Sequence, residues 1–282
     1  MCSSDLKADH RVPVRASMVE AFARVLNQNG EVSAEYASFV ESAESDLQAH
    51  MGSSLVIVGG HQPPVVHALA HSMNQALGNV GKTVFYADPV DANPINQTES
   101  IKDLITDVSA GKVDLLVILG GNPAYDAPAD LGFANILKNG KIPLRVHLGL
   151  YQNETAELCQ WHVNQAHELE AWGDARAYDG TVSIIQPLIA PLYNGKSASE
   201  FVALLSGQAD ATGYDLVRSY WQKQRSGTDF DQFWRKSLHD GWMNDTAFAP
   251  RQVAPKQGKI PEPTSTPATD SIELNIRRDP TI

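Results

Sequence analysis

Between residues 55 and 148, short apolar runs alternate with helix-like segments, and this alternation constrains the fold more than any other feature. The runs are Leu55–Val58, Thr83–Ala87, Val113–Leu119 and Pro143–Leu148. Between them, Pro63–Leu77 carries Val65, Leu69 and Met73 at four-residue spacing. Gln97–Ala110 carries Ile101, Leu104, Ile105 and Val108, and Asp130–Lys138 closes on Asn139–Gly140. Apolar residues three and four apart give a helix one buried stripe. Strands alternating with such helices through short loops predict an α/β fold: a parallel sheet with helices on both faces and right-handed crossovers.

The most informative stretch is VDLLVILGGNPAYDAPA, residues 113–129. Apart from Asp114, Val113–Leu119 is wholly apolar and rich in branched side chains. Such a run predicts a strand buried on both faces. Gly120–Gly121 ends it, and Asn122–Pro123 turns the chain toward Asp126. In open α/β sheets ligands sit beyond the carboxyl ends of strands. This loop is therefore the first candidate site, although Gly-Gly-Asn-Pro also suits a plain turn. The expected crevice joins Gly59–Gln62, Asp88–Asp91 and Gly120–Asp126, with His61, Gly120, Gly121, Asn122 and Asp126 as its cofactor-facing residues. Its three aspartates would repel a pyrophosphate, and these loops contain no Lys or Arg.

Outside the alternating region the chain changes character. Arg15–Asn27 and Ser33–His50 read as N-terminal helices within residues 1–50. Met1–Asp9 is polar, matches nothing downstream and is consistent with an extraneous start. The α/β region spans 51–210 and ends in an irregular, β-containing segment: Glu154–Cys159 as one helical turn, Thr181–Ile185 as a strand. Ser197–Leu205 follows as a helix, with Ser197 and Glu200 at capping-box positions. Residues 211–246 form C-terminal helices, Asp215–Gln224 and Phe230–Leu238, whose aromatics read as core rather than as a cofactor box. Residues 247–282 are a Pro-rich spacer followed by Ser271–Ile276, an alternating strand expected to begin a further domain.

A formal charge of −11 and the lack of a Lys/Arg cluster argue against nucleic acid as a partner. No apolar run reaches the length of a membrane span. Two cysteines, Cys2 and Cys159, are too few for a four-Cys iron–sulfur cluster or a Cys-rich zinc site. The phosphate-binding glycine motifs are absent. His67 and His71 have metal-ligand spacing but no third ligand nearby, and read as helix-surface histidines. His162 and His167, beside Glu168 and Glu170, could do acid–base or structural work. Ser183 and Ser206 lack a nucleophile elbow. Cys159 reads as a small buried apolar residue unless it is exposed.

Three stretches taken together are more specific. LVIVGGHQPPVVHALAHSMNQALGNVGKTVFY, DLLVILGGNPAYDAPADLGFANIL and ETAELCQWHVNQAHELEAWGDARAYDGTVSIIQPLIAPLYNGKS resemble the molybdopterin oxidoreductase family. The nearest likeness is to the molybdopterin-like half of the iron–sulfur large subunit of alternative complex III, the Tat-variant-translocated molybdopterin oxidoreductases. It covers roughly Leu55–Phe248, and VRSYWQKQ and DFDQFWRKSLHDG share it. The resemblance implies a molybdopterin-oxidoreductase-like fold and an electron-transfer setting. It also implies a ferredoxin-like half carrying the iron–sulfur clusters, expected beyond Ile282, and a periplasmic location whose signal lies before residue 1. Catalytic relatives carry a Cys, selenocysteine, Ser or Asp ligand to molybdenum, for which this sequence has no match. The expectation is therefore a cofactor-free scaffold portion without bound molybdopterin. Its partners would be the ferredoxin-like half and the other subunits of a quinol-oxidising membrane complex. Two alternatives stand beside it: a fragment of a catalytic molybdopterin-dependent oxidoreductase, and a small-molecule-binding α/β domain.

Overall fold

A computed structural model of the chain describes residues 8–27, 30, 33–225, 227, 229–253 and 272–275. The chain divides into two units, Met1–Tyr86 with Pro250–Ile282, and Ala87–Ala249.

In the first unit a 3-10 turn, Ala16–Met18, leads into α1 (Val19–Leu26), followed by α2 (Ala34–Ala49) and α3 (Pro64–Ala76). Pro64 sits in the first turn of α3, where its missing N–H costs nothing. Of the expected stripe, Leu69 and Met73 are buried and Val65 is half-buried; Ala23 of α1 packs with Val66, Leu69, Ala70 and Met73 of α3. Full burial of a side chain such as Leu69 stabilises by about 2 kcal/mol.

Two expected strands are corrected here. Neither Leu55–Val58 nor Thr83–Ala87 is a strand, and neither joins the parallel sheet. A polar side chain supplies what a neighbouring strand would have given. Buried Asn74 of α3 accepts from Val56 N through Oδ1 at 3.0 Å and donates from Nδ2 to Val56 O at 2.8 Å. Asn79 Nδ2 donates to the same Asn74 Oδ1 at 3.0 Å. Around Thr83 there is one isolated bridge, Val80 with Val84, and Thr83 Oγ1 donates to Ser54 O.

The second unit begins with α4 (Gln97–Ser109), capped by the Asn96 side chain, which accepts from Thr98 N and Glu99 N. Then come β1 (Leu115–Leu119), α5 (Pro123–Asp126), a 3-10 turn Ala129–Leu131 and α6 (Phe133–Asn139). After these follow β2 (Leu144–Gly149), α7 (Glu154–Glu157) and β3 (Trp161–Asn164). The three strands form a parallel sheet in the order β1-β2-β3, with Leu115 opposite Leu144 and Val146 opposite Trp161. The class is mixed α/β with a three-stranded parallel sheet and helices. β1 was expected to be buried on both faces, but it is an edge strand. Leu116 and Ile118 pack on the core formed by Val108, Phe133, Leu137 and Ile142, whereas Leu115 and Leu119 are nearly half exposed.

A second sheet lies beyond residue 170. β4 (Gly173–Arg176), β5 (Val182–Ile185) and β6 (Trp242–Met243) pair antiparallel in that order. Helices α8 (Ala198–Leu205), α9 (Gly213–Gln224) and α10 (Phe230–Asp240) accompany it. The capping box of α8 is complete: Ser197 Oγ accepts from Glu200 N, and Glu200 Oε2 accepts from Ser197 N. Glu200 Oε1 also accepts from Gly213 N, tying α8 to α9. Val182, Ile184, Val217, Trp221, Phe230, Trp234 and Met243 form the core, so most of the aromatics are structural as expected. Trp234 Nε1 donates to Tyr214 Oη at 3.0 Å, which satisfies the one polar atom that its burial would otherwise strand.

Among the described residues no helix is long and apolar enough to cross a membrane. Of the expected strand Ser271–Ile276, Ile272–Asn275 is described and is not a strand. Its ends, the Pro-rich spacer 254–270, Met1–Lys7 and with them Cys2 lie outside the described residues.

Candidate functional site

Because β1, β2 and β3 run parallel, the loops that follow them gather at one end of the sheet. Gly120 and Gly121 both adopt left-handed backbone, at φ 68° and 69°, a conformation that side chains with a Cβ resist. Gly120 N donates to Leu148 O at 2.7 Å, so the turn stays stitched to β2. Asn122 follows, and its side chain reaches the start of α7 in the loop after β2.

That side chain is committed at both ends. Nδ2 donates to Glu154 Oε2 at 2.6 Å, while Oδ1 accepts from Thr155 N at 3.2 Å and from Thr155 Oγ1 at 2.8 Å. Thr155 Oγ1 in turn accepts from Ala124 N at 3.0 Å. Asn153 caps α7 by accepting from Ala156 N and donates from Nδ2 to Gly121 O. Thr155 is fully buried. The Asn122 amide holds the Glu154 carboxyl below its ordinary range, with its own backbone N–H assisting.

Beneath this network lies His147 of β2, fully buried. Its Nε2 is 3.3 Å from Gly121 O, and its Nδ1 is 3.2 Å from His162 Nδ1 on β3. A carbonyl only accepts, so Nε2 carries the proton. Nδ1 of His147 then accepts from His162 Nδ1. Burial holds His147 below the usual histidine range, and the charge of His162 adds to this, against the bond to Gly121. Gly149 makes room for the ring: a Cβ there would run into His147 Cε1. The loop after β3 closes the set, with Gln165 N donating to Gly149 O at 3.0 Å.

Of the expected site residues, Gly120, Gly121 and Asn122 belong to this network. Asp126 is exposed at the end of α5, its N–H bonded to Asn122 O. Asp88–Asp91 also belongs to the second unit, whereas His61 and the Gly59–Gln62 turn belong to the first. There His61 Nε2 accepts from Gln62 Nε2. Sequence reasoning missed His147, Gly149, Asn153, Glu154 and Thr155. Their one visible signal is a histidine inside the apolar run PLRVHL.

The remaining candidates are structural. His71 Nδ1 pairs with Tyr86 Oη at 2.9 Å. No group of three metal-ligating side chains is present among the described residues. His167 Nδ1 accepts from Leu169 N, and Glu170 accepts from His167 N and Leu192 N, which braces a turn. Cys159 is half-buried, and burial pushes its thiol up despite Arg145, which disfavours a reactive thiolate. Ser206 Oγ donates to Val202 O within its own helix.

The residues at the sheet end do not fit a molybdopterin dinucleotide. Asn122 and Asn153 spend their donors on Glu154 and Gly121. Glu154 adds a carboxylate to this end of the sheet, and its charge would repel a pyrophosphate. No protein-family model matches the chain, and no curated protein matches it.

Proposed function

We propose that this chain is a cofactor-free, molybdopterin-oxidoreductase-like scaffold portion of an iron–sulfur electron-transfer subunit. Its parent works at the periplasmic side of a membrane, in a quinol-oxidising complex. Its partners are a ferredoxin-like half of the same polypeptide, where the clusters reside, and neighbouring subunits. The resemblance over Leu55–Phe248 motivates the family. The observation that carries the cofactor-free reading is the closed bonding of Asn122: its amide satisfies Glu154 and Thr155 instead of facing outward. Gly120, Gly121, Asn122 and Asp126 are then remnants of a crevice kept for its fold. Apolar side chains on a braced loop support a docking role. Leu188, Leu192 and Tyr193 are each more than two-thirds exposed, while Leu188 N is tied to Leu169 O and Asn164 Nδ2 to Tyr193 O. Ordered apolar exposure of this kind marks interaction surfaces.

The test is molybdenum analysis of the chain purified from a cofactor-competent host, together with calorimetry against guanine nucleotides. Neither stoichiometric metal nor micromolar nucleotide binding is expected. Stoichiometric molybdenum, or micromolar nucleotide binding abolished by Asn122→Ala, would establish the catalytic alternative instead.

A further inference from the structure

A pocket of about 370 Å3 opens between β4, α8 and α9 on the second sheet. It is at the small end of the range for ligand pockets, roughly 300–1,000 Å3. Its apolar part is made by Val182, Leu216 and Val217. Its polar part carries two opposite charges, Asp174 and Arg176, two residues apart on β4. Residues i and i+2 of a strand share a face, with Cα atoms about 6.7 Å apart.

These charges do not pair with each other, and among the described residues neither has an ion-pair partner within 4.0 Å. Each is fixed separately, and Trp221 does much of the fixing. Its indole Nε1 donates to Asp174 Oδ2 at 2.7 Å. Its ring lies 5.9 Å from the Arg176 guanidinium, which also sits 5.0 Å from the ring of Phe248. Arg176 Nη1 donates to Gly180 O and Thr246 O. Its Nε and Nη2, like Asp174 Oδ1, make no hydrogen bond among the described residues. An acidic chain thus holds a cation and an anion rigid, side by side and separated, above an apolar floor. Two immobilised, unpaired charges match a ligand that brings both counter-charges on a short frame.

We infer that this pocket binds a free α-amino acid with an apolar side chain. Its ammonium meets Asp174, its carboxylate takes the remaining guanidinium donors of Arg176, and its side chain lies on Val182, Leu216 and Val217. Carboxylate recognition by a guanidinium with two adjacent donors is directional and strong. A simple amine or a simple acid satisfies one charge and leaves the other unmatched, so the pair selects the zwitterion.

The experiment follows the Trp221 indole N–H by NMR in the full chain during titration with L-leucine and L-phenylalanine. Parallel arms use isopentylamine and 4-methylpentanoate. A saturable shift with the amino acids, and much weaker binding of the two half-ligands, is the expected result. Asp174→Asn keeps an acceptor for Trp221 but removes the charge, and weakens leucine binding by about tenfold or more, the loss expected for one charge-assisted bond. Absence of a saturable shift at about 10 mM ligand, above a millimolar Kd, overturns the inference. So does equal binding of either half-ligand, or undiminished binding in a folded Asp174→Asn. The half-ligand comparison uses the unmodified chain and decides the matter even if the variant fails to fold.

Discussion

Replacing Asn122 by alanine tests the sheet-end network directly. The substitution removes the acceptor for both Thr155 N and Thr155 Oγ1, on a residue that is fully buried. A buried donor left without a partner costs about 1–3 kcal/mol. Thr155 Oγ1 still accepts from Ala124 N, so the disruption stops at two donors. The lost bond to Glu154 adds little, because that carboxylate is solvated. The expected destabilisation is about 2–4 kcal/mol. For a domain of 150–250 residues, each kcal/mol moves Tm by about 2–4 °C, which gives a fall of roughly 5–15 °C for the second unit. Thermal unfolding by circular dichroism measures it, and hydrogen exchange at the Thr155 and Ala124 amides localises it. Asn122→Asp separates the two ends of the side chain. It keeps an acceptor for Thr155 but sets a second carboxylate against Glu154, so its loss should shrink as pH falls and one carboxyl takes up a proton. A loss below about 0.5 kcal/mol in Asn122→Ala, within the range of ordinary surface changes, with unchanged exchange at both amides, would refute the network.

Three further outcomes follow from the same geometry. Gly149→Ala drives a Cβ into the His147 ring and should cost about 1–3 kcal/mol in chemical denaturation; a variant as stable as the parent would mean that the ring is not confined there. His147 has a folded pKa below its unfolded value near 6.5, so the unfolded chain binds more protons between the two values. Its contribution is complete above about pH 6.5 and is lost as pH falls toward the folded pKa, and His147→Gln should flatten that part of the stability–pH curve. Ser197→Ala should cost about 1 kcal/mol by opening the α8 cap; hydrogen exchange at Glu200 N should rise with it.

What the sequence disclosed follows the range of the interactions involved. Helices were legible because their signals are local: the stripe of α3, the Ser197 cap and the aromatic rows of α9 and α10 each lie within a few residues of one another. Strand partners were not. Leu55–Val58 has the composition of a strand, but Asn74, eighteen residues away, takes the bonds that would have placed it in the sheet. Conversely, Trp161–Val163, inside the segment expected to be irregular, became part of a sheet strand, since its place depends on β2. The candidate loop was found through its glycines, yet the groups that bind Asn122 could not be found without knowing that α7 starts beside it. His147 was overlooked because a histidine in an apolar run gives no hint of its tautomer or its partners.

The crossing point between the units has a consequence for how this protein is made and can be taken apart. Arg251 N donates to Tyr86 O at 2.7 Å, so the chain leaves the first unit and returns to it at one place. Residues 87–249 are thus an uninterrupted insertion, whereas the first unit also needs residues from beyond 249, including the contact of Glu273 with Ser17. On the ribosome the inserted unit emerges whole before its host can close, so the later-starting unit is free to finish folding first. The same neighbouring ends also make the insertion excisable: a short glycine–serine bridge from Tyr86 to Arg251 spans the gap with little loop entropy.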